Sequence, residues 1–398
     1  MVANKIFQNV RSRSSLRFHD VKRLLSVSST EMPEIEALRP DIKSHDQLHR
    51  FSVEQPDKFW GELARSRLLW SQDFHTSMDC DMNKGKFDWF LGGRLNVSVN
   101  CVDRWAGLHP HRLALVWEKD EPGQEERISY KELQRLVCQI ANCLKTAGVR
   151  KGDVVALYLP VSPVAVACML ATARLGAVHS VIFAGFSSEA VAARINDAGV
   201  KVVITADEAL RGGKTIPLKP TVDKALSDCP AVRTVFVSRR TGGPVSMKHG
   251  RDVWLEESMA SESDDCLPVQ VEAEDPLFLL YTSGSTGKPK VTHFSLFSLL
   301  NQTQGLSHSS AGYLLYAAVT HRHAFDYQAG ELFGCVADIG WITGHSYVVY
   351  GPLANGGTTL LFESTPVYPD PGRYWETVQR LRINHFYGSP TALRLLIR

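Results

Sequence analysis

Residues 153–183 constrain the fold of this chain more than any comparable stretch. Val154-Val155-Ala156-Leu157-Tyr158-Leu159 reads as a buried strand, Val164 to Leu175 as a helix rich in Ala, Met and Leu closed by Gly176, and Val178 to Phe183 as a second strand. Strand, helix and strand in about thirty residues make a βαβ unit, whose strands are parallel and whose crossover is right-handed. No charged side chain occurs from Val154 to Ala173, a run long enough to cross a bilayer. Pro160 and Pro163 break it, and its halves differ in character. It is the interior of a sheet protein and not a membrane span.

The alternation extends beyond this unit. Leu113 to Trp117 is an expected strand and Tyr130 to Ala147 an amphipathic helix ended by Gly148. A helix over 188–198 follows, then strands at Lys201 to Thr205, Thr234 to Ser238 and 277–281, with a loop-dominated crossing over 239–275. The expected class is α/β: a layered domain of helices on a mainly parallel sheet. Residues 31–95 are polar and aromatic, with Trp60, Trp70 and Trp89 spaced through them, and no internal repeat is present.

The last of these strands feeds Tyr281-Thr282-Ser283-Gly284-Ser285-Thr286-Gly287-Lys288-Pro289-Lys290. By composition alone a Ser/Thr/Gly run is a flexible surface loop. A strand before it and lysines inside it favour another reading. Glycines let backbone N–H groups converge, while hydroxyls and ammonium groups add donors and positive charge, which suits a polyphosphate. Thr282, Ser283, Gly284, Ser285, Thr286, Gly287 and Lys288 are therefore the expected phosphate-binding residues. The spacing is not that of the kinase and GTPase P-loop, which needs four residues between its glycines.

Two further strings carry chemistry. Arg211-Gly212-Gly213-Lys214 sets two glycines between two cations, a turn whose charges point the same way and suit a phosphate; a solvated Gly-Gly turn is the plainer reading. Asp338-Ile339-Gly340-Trp341-Ile342-Thr343-Gly344-His345-Ser346-Tyr347 is the second, although a tryptophan alone is more often core than ligand contact. His321-Arg322-His323 and His109-Pro110-His111 have no Cys, Asp or Glu at ligand spacing, so these are read as surface histidines and no metal site is assigned. Neither a Gly-x-Ser-x-Gly elbow nor a dinucleotide Gly-x-Gly-x-x-Gly occurs, which leaves hydrolase and dehydrogenase readings without support.

A net charge of +2 gives no reason to expect nucleic acid as partner, and no membrane association is expected. Eight cysteines without a Cys-x-x-Cys pair read as reduced thiols in a non-secretory compartment. Residues 1–30 carry Lys5, Arg11, Arg13, Arg17, Lys22 and Arg23 against Asp20, with six serines. This basic, serine-rich, acid-poor composition is that of a mitochondrial presequence, and the expected location is the matrix.

The ten-residue run 281–290 resembles the phosphate-binding signature of the adenylate-forming enzymes. From about residue 55 to 398 the chain resembles the acetyl-CoA synthetases among them, mitochondrial forms above all. Arg174-Leu175-Gly176-Ala177-Val178-His179, Phe183-Ala184-Gly185-Phe186-Ser187 and Tyr387-Gly388-Ser389-Pro390-Thr391-Ala392 carry the likeness too. The resemblance implies the large N-terminal domain of that superfamily: 31–95 as an N-terminal extension and 96–398 as a partial adenylation domain. It implies ATP, CoA and Mg²⁺, small-molecule substrates (acetate or propionate), and an acetate–CoA ligase working through acetyl-adenylate. By position it assigns Arg211, Gly212, Gly213, Lys214 and Thr343 to CoA, and Trp341 and Ile342 to the acyl pocket. At Val367 an amide contact of the family is replaced by a side chain that cannot hydrogen-bond, so that position is not assigned.

Two departures accompany the likeness. Between Lys290 and a family-like run starting at Gly305 stand 14 extra residues, Val291 to Gln304. Valine codons begin GT and a glutamine codon can be CAG, so this whole-codon insert has the ends of an unspliced intron. Secondly, the family's ribose-binding Asp, hinge and small C-terminal domain with its catalytic lysine all lie past Arg398, so no catalytic residue is assigned. The alternatives to a ligase are a truncated, catalytically incomplete product that at most binds nucleotide or a partner, and an unrelated nucleotide-binding module.

Overall fold

The computed structural model describes residue 39, residues 41–281 and residues 305–397. Two sheets organise them. The larger has seven strands in the order Asp252–Trp254, Thr234–Ser238, Val202–Ala206, Val154–Tyr158, Val178–Val181, Pro276–Leu280 and Leu306–Ser309. All neighbours are parallel except the last pair, which runs antiparallel. The smaller sheet orders His385–Tyr387, Leu332–Cys335, Thr358–Phe362, Leu113–Glu118 and Glu125–Ser129, with only the last strand antiparallel.

The expected βαβ unit forms. Its helix, Pro163–Arg174, begins where the Ser162 hydroxyl accepts the Ala165 N–H and Pro163 fills the first turn, needing no donor there. Nearly every residue of it is buried, because it packs on the large sheet and also against the helix Tyr130–Thr146. A helix so enclosed reads as apolar on all sides. Gly176, at φ +65°, turns the chain back into the next strand. Tyr130–Thr146 starts with a reciprocal cap, the Ser129 hydroxyl on the Glu132 N–H and the Glu132 carboxylate on the Ser129 N–H.

Arg174 joins the two helices' surroundings from inside. Its guanidinium donates to Asp103 at 2.8 Å and to the Cys266 carbonyl at 2.7 Å, and both charged side chains are 4% exposed. Residues before 96 are stitched to this body. Arg94–Leu95 pairs on both sides, with Trp70–Gln72 and with Val271–Glu272, and the Asn96 amide donates to the carbonyls of Ala173, Arg174 and Val269.

The crossing 239–275 is loop-dominated as expected, and within it lie an edge strand of the large sheet, Asp252–Trp254, and a short helix, Leu255–Ala260, both too brief to leave a periodic signal. Two expectations are corrected. The strand after Gly176 ends at Val181, since the chain turns through Phe183, whose carbonyl accepts the Phe186 N–H. His321 is not a surface residue: it is wholly buried between the rings of Tyr327 and Phe333, 4.6 and 4.5 Å away, and bonded to the Asn355 amide. His109, His111 and His323 are exposed. All eight cysteines are unbridged. No described helix is long and apolar enough to cross a membrane.

Breaking the Arg174–Asp103 pair from one side leaves an uncompensated buried charge. Arg174→Met should cost about 3–5 kcal/mol in urea unfolding, and Asp103→Leu with Arg174→Met should recover part of that loss. An unchanged midpoint for the single variant would contradict the role given to the pair.

Candidate functional site

Parallel strands end on the same edge, and at that edge the connecting segments meet. The strand Val202–Ala206 is followed by a hairpin, Glu208–Arg211 paired with Lys214–Pro217, whose two-residue turn is Gly212-Gly213. Both glycines have positive φ, +62° and +73°, the geometry that matches hairpin twist and that a side chain would strain. Register sets Arg211 opposite Lys214, so the two cations are cross-strand neighbours on one face, as the sequence suggested.

The amides of that turn are already occupied. Gly212 and Gly213 donate their N–H groups to the two oxygens of Asp120, at 2.6 and 2.8 Å, and Ser364 donates its hydroxyl to the same carboxylate at 2.7 Å. Asp120 follows the strand Leu113–Glu118 and Ser364 follows Thr358–Phe362, so the small sheet supplies this support. An anion approaching the hairpin therefore meets side chains and not backbone donors. Lys214 is exposed, and its ammonium has no partner among the described residues.

Arg211 is engaged differently. Its guanidinium pairs with Asp338 at 3.0 Å and lies over the Phe183 ring, 5.3 Å from the centroid. Asp338 opens the segment after the strand Leu332–Cys335. Its carboxylate accepts the Gly340 N–H at 2.8 Å and its carbonyl accepts the Trp341 N–H at 3.1 Å. Side chains are excluded here by contact: a Cβ on Gly340 would lie 3.0 Å from the Phe183 backbone, and one on Gly344 only 2.2 Å from the Asp338 carbonyl. Trp341 and Ile342 project at the surface, 42% and 39% exposed, and Thr343 is half-buried. The Trp341 ring is 6.1 Å from Phe183. Arg211, Gly212, Gly213, Lys214, Trp341, Ile342 and Thr343 thus share one region, although they come from two sheets. Thr365 and Tyr368 close over the turn glycines: a Cβ on Gly213 would meet Tyr368 at 2.5 Å.

The expected phosphate-binding residues Thr282, Ser283, Gly284, Ser285, Thr286, Gly287 and Lys288, and the 291–304 insert, lie outside the described residues. Their flanks do not. Leu280 is in register with Leu306, so the chain leaves and rejoins the large sheet at adjacent positions on the same edge. Tyr281 donates its hydroxyl to Asp197 at 2.6 Å.

Behind that edge sits a stack that sequence reasoning missed. Phe278 lies face to face with His179 (5.4 Å) and His308 (4.5 Å) and touches His345 (4.5 Å). His179 bonds the Tyr350 hydroxyl, and the His345 Nδ1 faces the Trp341 carbonyl at 3.0 Å. Burial pushes His345 down to about 4, against the Trp341 carbonyl, which favours the charged form. It pushes His321 down to about 3, and it holds His179 and His308 below the usual imidazole range. A signal existed in hindsight, since His345 stands four residues after Trp341, one helical turn. Among the described residues no group of three or more His, Cys, Asp or Glu side chains could hold a metal ion.

Comparison with known proteins follows the same outline. Residues 102–398 match the model of the AMP-binding enzymes, and residues 45–101 match that of the acetyl-coenzyme A synthetase N-terminus. The chain belongs to the AMP-binding enzyme family. Among AMP-binding enzymes it is 58% identical over 344 residues to the human protein named acetyl-coenzyme A synthetase 2-like, mitochondrial, covering 86% of this chain and 48% of that one. It is 51% identical over 357 residues to the acetyl-coenzyme A synthetase of Halorhodospira halophila, covering 90% and 53%. The solved acetoacetyl-CoA synthetase from Streptomyces lividans superposes with a TM-score of 0.80 at 26% identity, covering 94% of this chain and 54% of that one. The chain spans about half the length of the curated relatives it matches.

The buried imidazoles of His179, His321 and His345, with the half-buried one of His308, set a pH dependence. Unfolded, each binds a proton near pH 6.5; folded, each stays neutral, so the unfolded state binds more protons below 6.5 and stability falls with pH. For His345 the loss accrues from 6.5 down to its folded value of about 4 and amounts to about 3 kcal/mol, at ~1.4 kcal/mol per unit. Urea midpoints should fall steadily from pH 6.5 to 5, with a shallower slope in His345→Asn. A flat profile there would refute the assignment.

Proposed function

We propose that the chain is the adenylation-domain portion of an AMP-forming acetate–CoA ligase. The observation that supports this most is the convergence of Arg211–Lys214 and Trp341–Thr343 at the edge from which residues 281–305 also depart. In this reading residues 1–30 are a mitochondrial presequence directing the protein to the matrix, 31–95 the N-terminal extension and 96–398 the adenylation domain.

Activation consists of a carboxylate oxygen attacking the α-phosphorus of ATP, with diphosphate leaving; the CoA thiol then attacks the acyl carbon and AMP leaves. Neither step needs a covalent bond to the protein, so positioning and charge neutralisation carry the rate. Thr282–Lys288 would hold the triphosphate, and a Mg²⁺ bound with the nucleotide would supply neutralisation of its oxygens. Lys214, whose ammonium has no partner among the described residues, and Arg211 meet the phosphates of CoA. Asp120 keeps the Gly212-Gly213 turn in shape, leaving those charges to the two side chains. Trp341 and Ile342 wall the alkyl group of acetate or propionate, and Thr343 lies between wall and thiol. The partners are small molecules only.

The second reading is a protein that binds nucleotide without completing catalysis. ATP–pyrophosphate exchange with acetate and propionate decides. Acetate-dependent exchange supports the ligase, whereas silence with retained ATP binding supports the second reading. Lys214→Ala should weaken CoA binding about tenfold at low salt, one charge-assisted hydrogen bond's worth, with a smaller effect as ionic strength rises. Equal affinities at low salt would remove Lys214 from the site.

A further inference from the structure

We infer that Asp338 is a positioning residue that ties the hairpin cation Arg211 to the Trp341 turn, so that the two ends of one bound acyl-CoA are read by a single mechanical unit. The inference rests on the ligase reading for what is bound, but not for the linkage itself.

The linkage is a closed ring of contacts. One carboxylate oxygen of Asp338 accepts the Arg211 guanidinium at 3.0 Å while the other accepts the Gly340 N–H at 2.8 Å. The Asp338 backbone carbonyl accepts the Trp341 N–H at 3.1 Å, so the same residue holds the indole-bearing position from a second direction. The ring closes through Phe183, which lies under the Arg211 guanidinium at 5.3 Å and 6.1 Å from the Trp341 ring. The Asp338 side chain is 12% exposed and that of Arg211 36%, so the pair is shielded from much of the screening that weakens surface ion pairs.

The pair also has a chemical consequence. Arg211 is the residue that would meet a phosphate, and its charge is already shared with Asp338. A phosphate drawing on Arg211 pulls on the carboxylate that fixes Gly340, and through it on the wall of the acyl pocket. Asp338 thus contributes to chain-length selection without touching the acyl group. The hairpin and the Trp341 turn arise from different sheets, and Asp338 is the charged bridge between them.

The test reads the indole N–H resonance of Trp341 in the full chain, assigned by its loss in Trp341→Phe. Arg211→Gln should shift that resonance, Arg211→Lys should return it toward the parent position, and Trp89 should stay put. In an Asp338→Asn background the response to Arg211→Gln should vanish. A Trp341 unmoved by Arg211→Gln overturns the inference even if Asp338→Asn does not fold. A response that persists undiminished without the carboxylate assigns the coupling to Phe183 instead, and also overturns it. Calorimetry with CoA and butyryl-CoA supplies the functional arm. Asp338→Asn should change the ratio of their dissociation constants at least threefold while altering that for CoA itself by less; an unchanged ratio removes the selectivity role. Absence of binding by the parent chain would sink the ligase reading and leave the indole cycle to decide on Asp338.

Discussion

Parallel pairing is the constraint from which the rest of this molecule follows. Once Val154–Tyr158, Val178–Val181 and Val202–Ala206 lie side by side in one direction, every segment that leaves their carboxyl ends emerges at a common rim. The small sheet obeys the same rule through Leu113–Glu118, Leu332–Cys335 and Thr358–Phe362. Asp120, Phe183, Arg211, Asp338 and Ser364 each follow one of five of these six ends. Residues separated by hundreds of positions become neighbours without any long-range recognition signal of their own.

Helices add a second set of ties to this arrangement. The apolar helix Pro163–Arg174 ends on Arg174, whose buried charge reaches back to Asp103 and to the Cys266 carbonyl. The same short string that resembles the family in sequence, residues 174–179, therefore contains both an interior ion pair and His179, a member of the imidazole stack. Its chemistry is that of a scaffold. The stack itself needs neutral rings, since three aromatic surfaces and a tyrosine hydroxyl leave no water to solvate an imidazolium.

Legibility in the sequence tracked the locality of the cause. The βαβ unit could be read because its caps, prolines and terminal glycine all act within a few residues. The Arg211–Lys214 turn could be read for the same reason, down to the common face of its cations. What could not be read was the occupant of its amides, because Asp120 lies about ninety positions away and nothing near it announces the contact. Leu332–Cys335 and Thr358–Phe362 also escaped notice, being four or five residues long and set among irregular connections. His321 was misread because its neighbours Arg322 and His323 suggest solvent, while the helix Ser310–Ala324 is so rich in alanine and leucine that no polar stripe marks its exposed side.

The prior engagement of the hairpin has a kinetic meaning. With both turn amides on Asp120 and Arg211 on Asp338, the one positive charge of the hairpin without a partner among the described residues is that of Lys214. A cradle with all its donors open would hold a polyanion long after the chemistry was over. Under the proposed function, one that keeps most of them employed would trade residence time for exchange and let a spent ligand go.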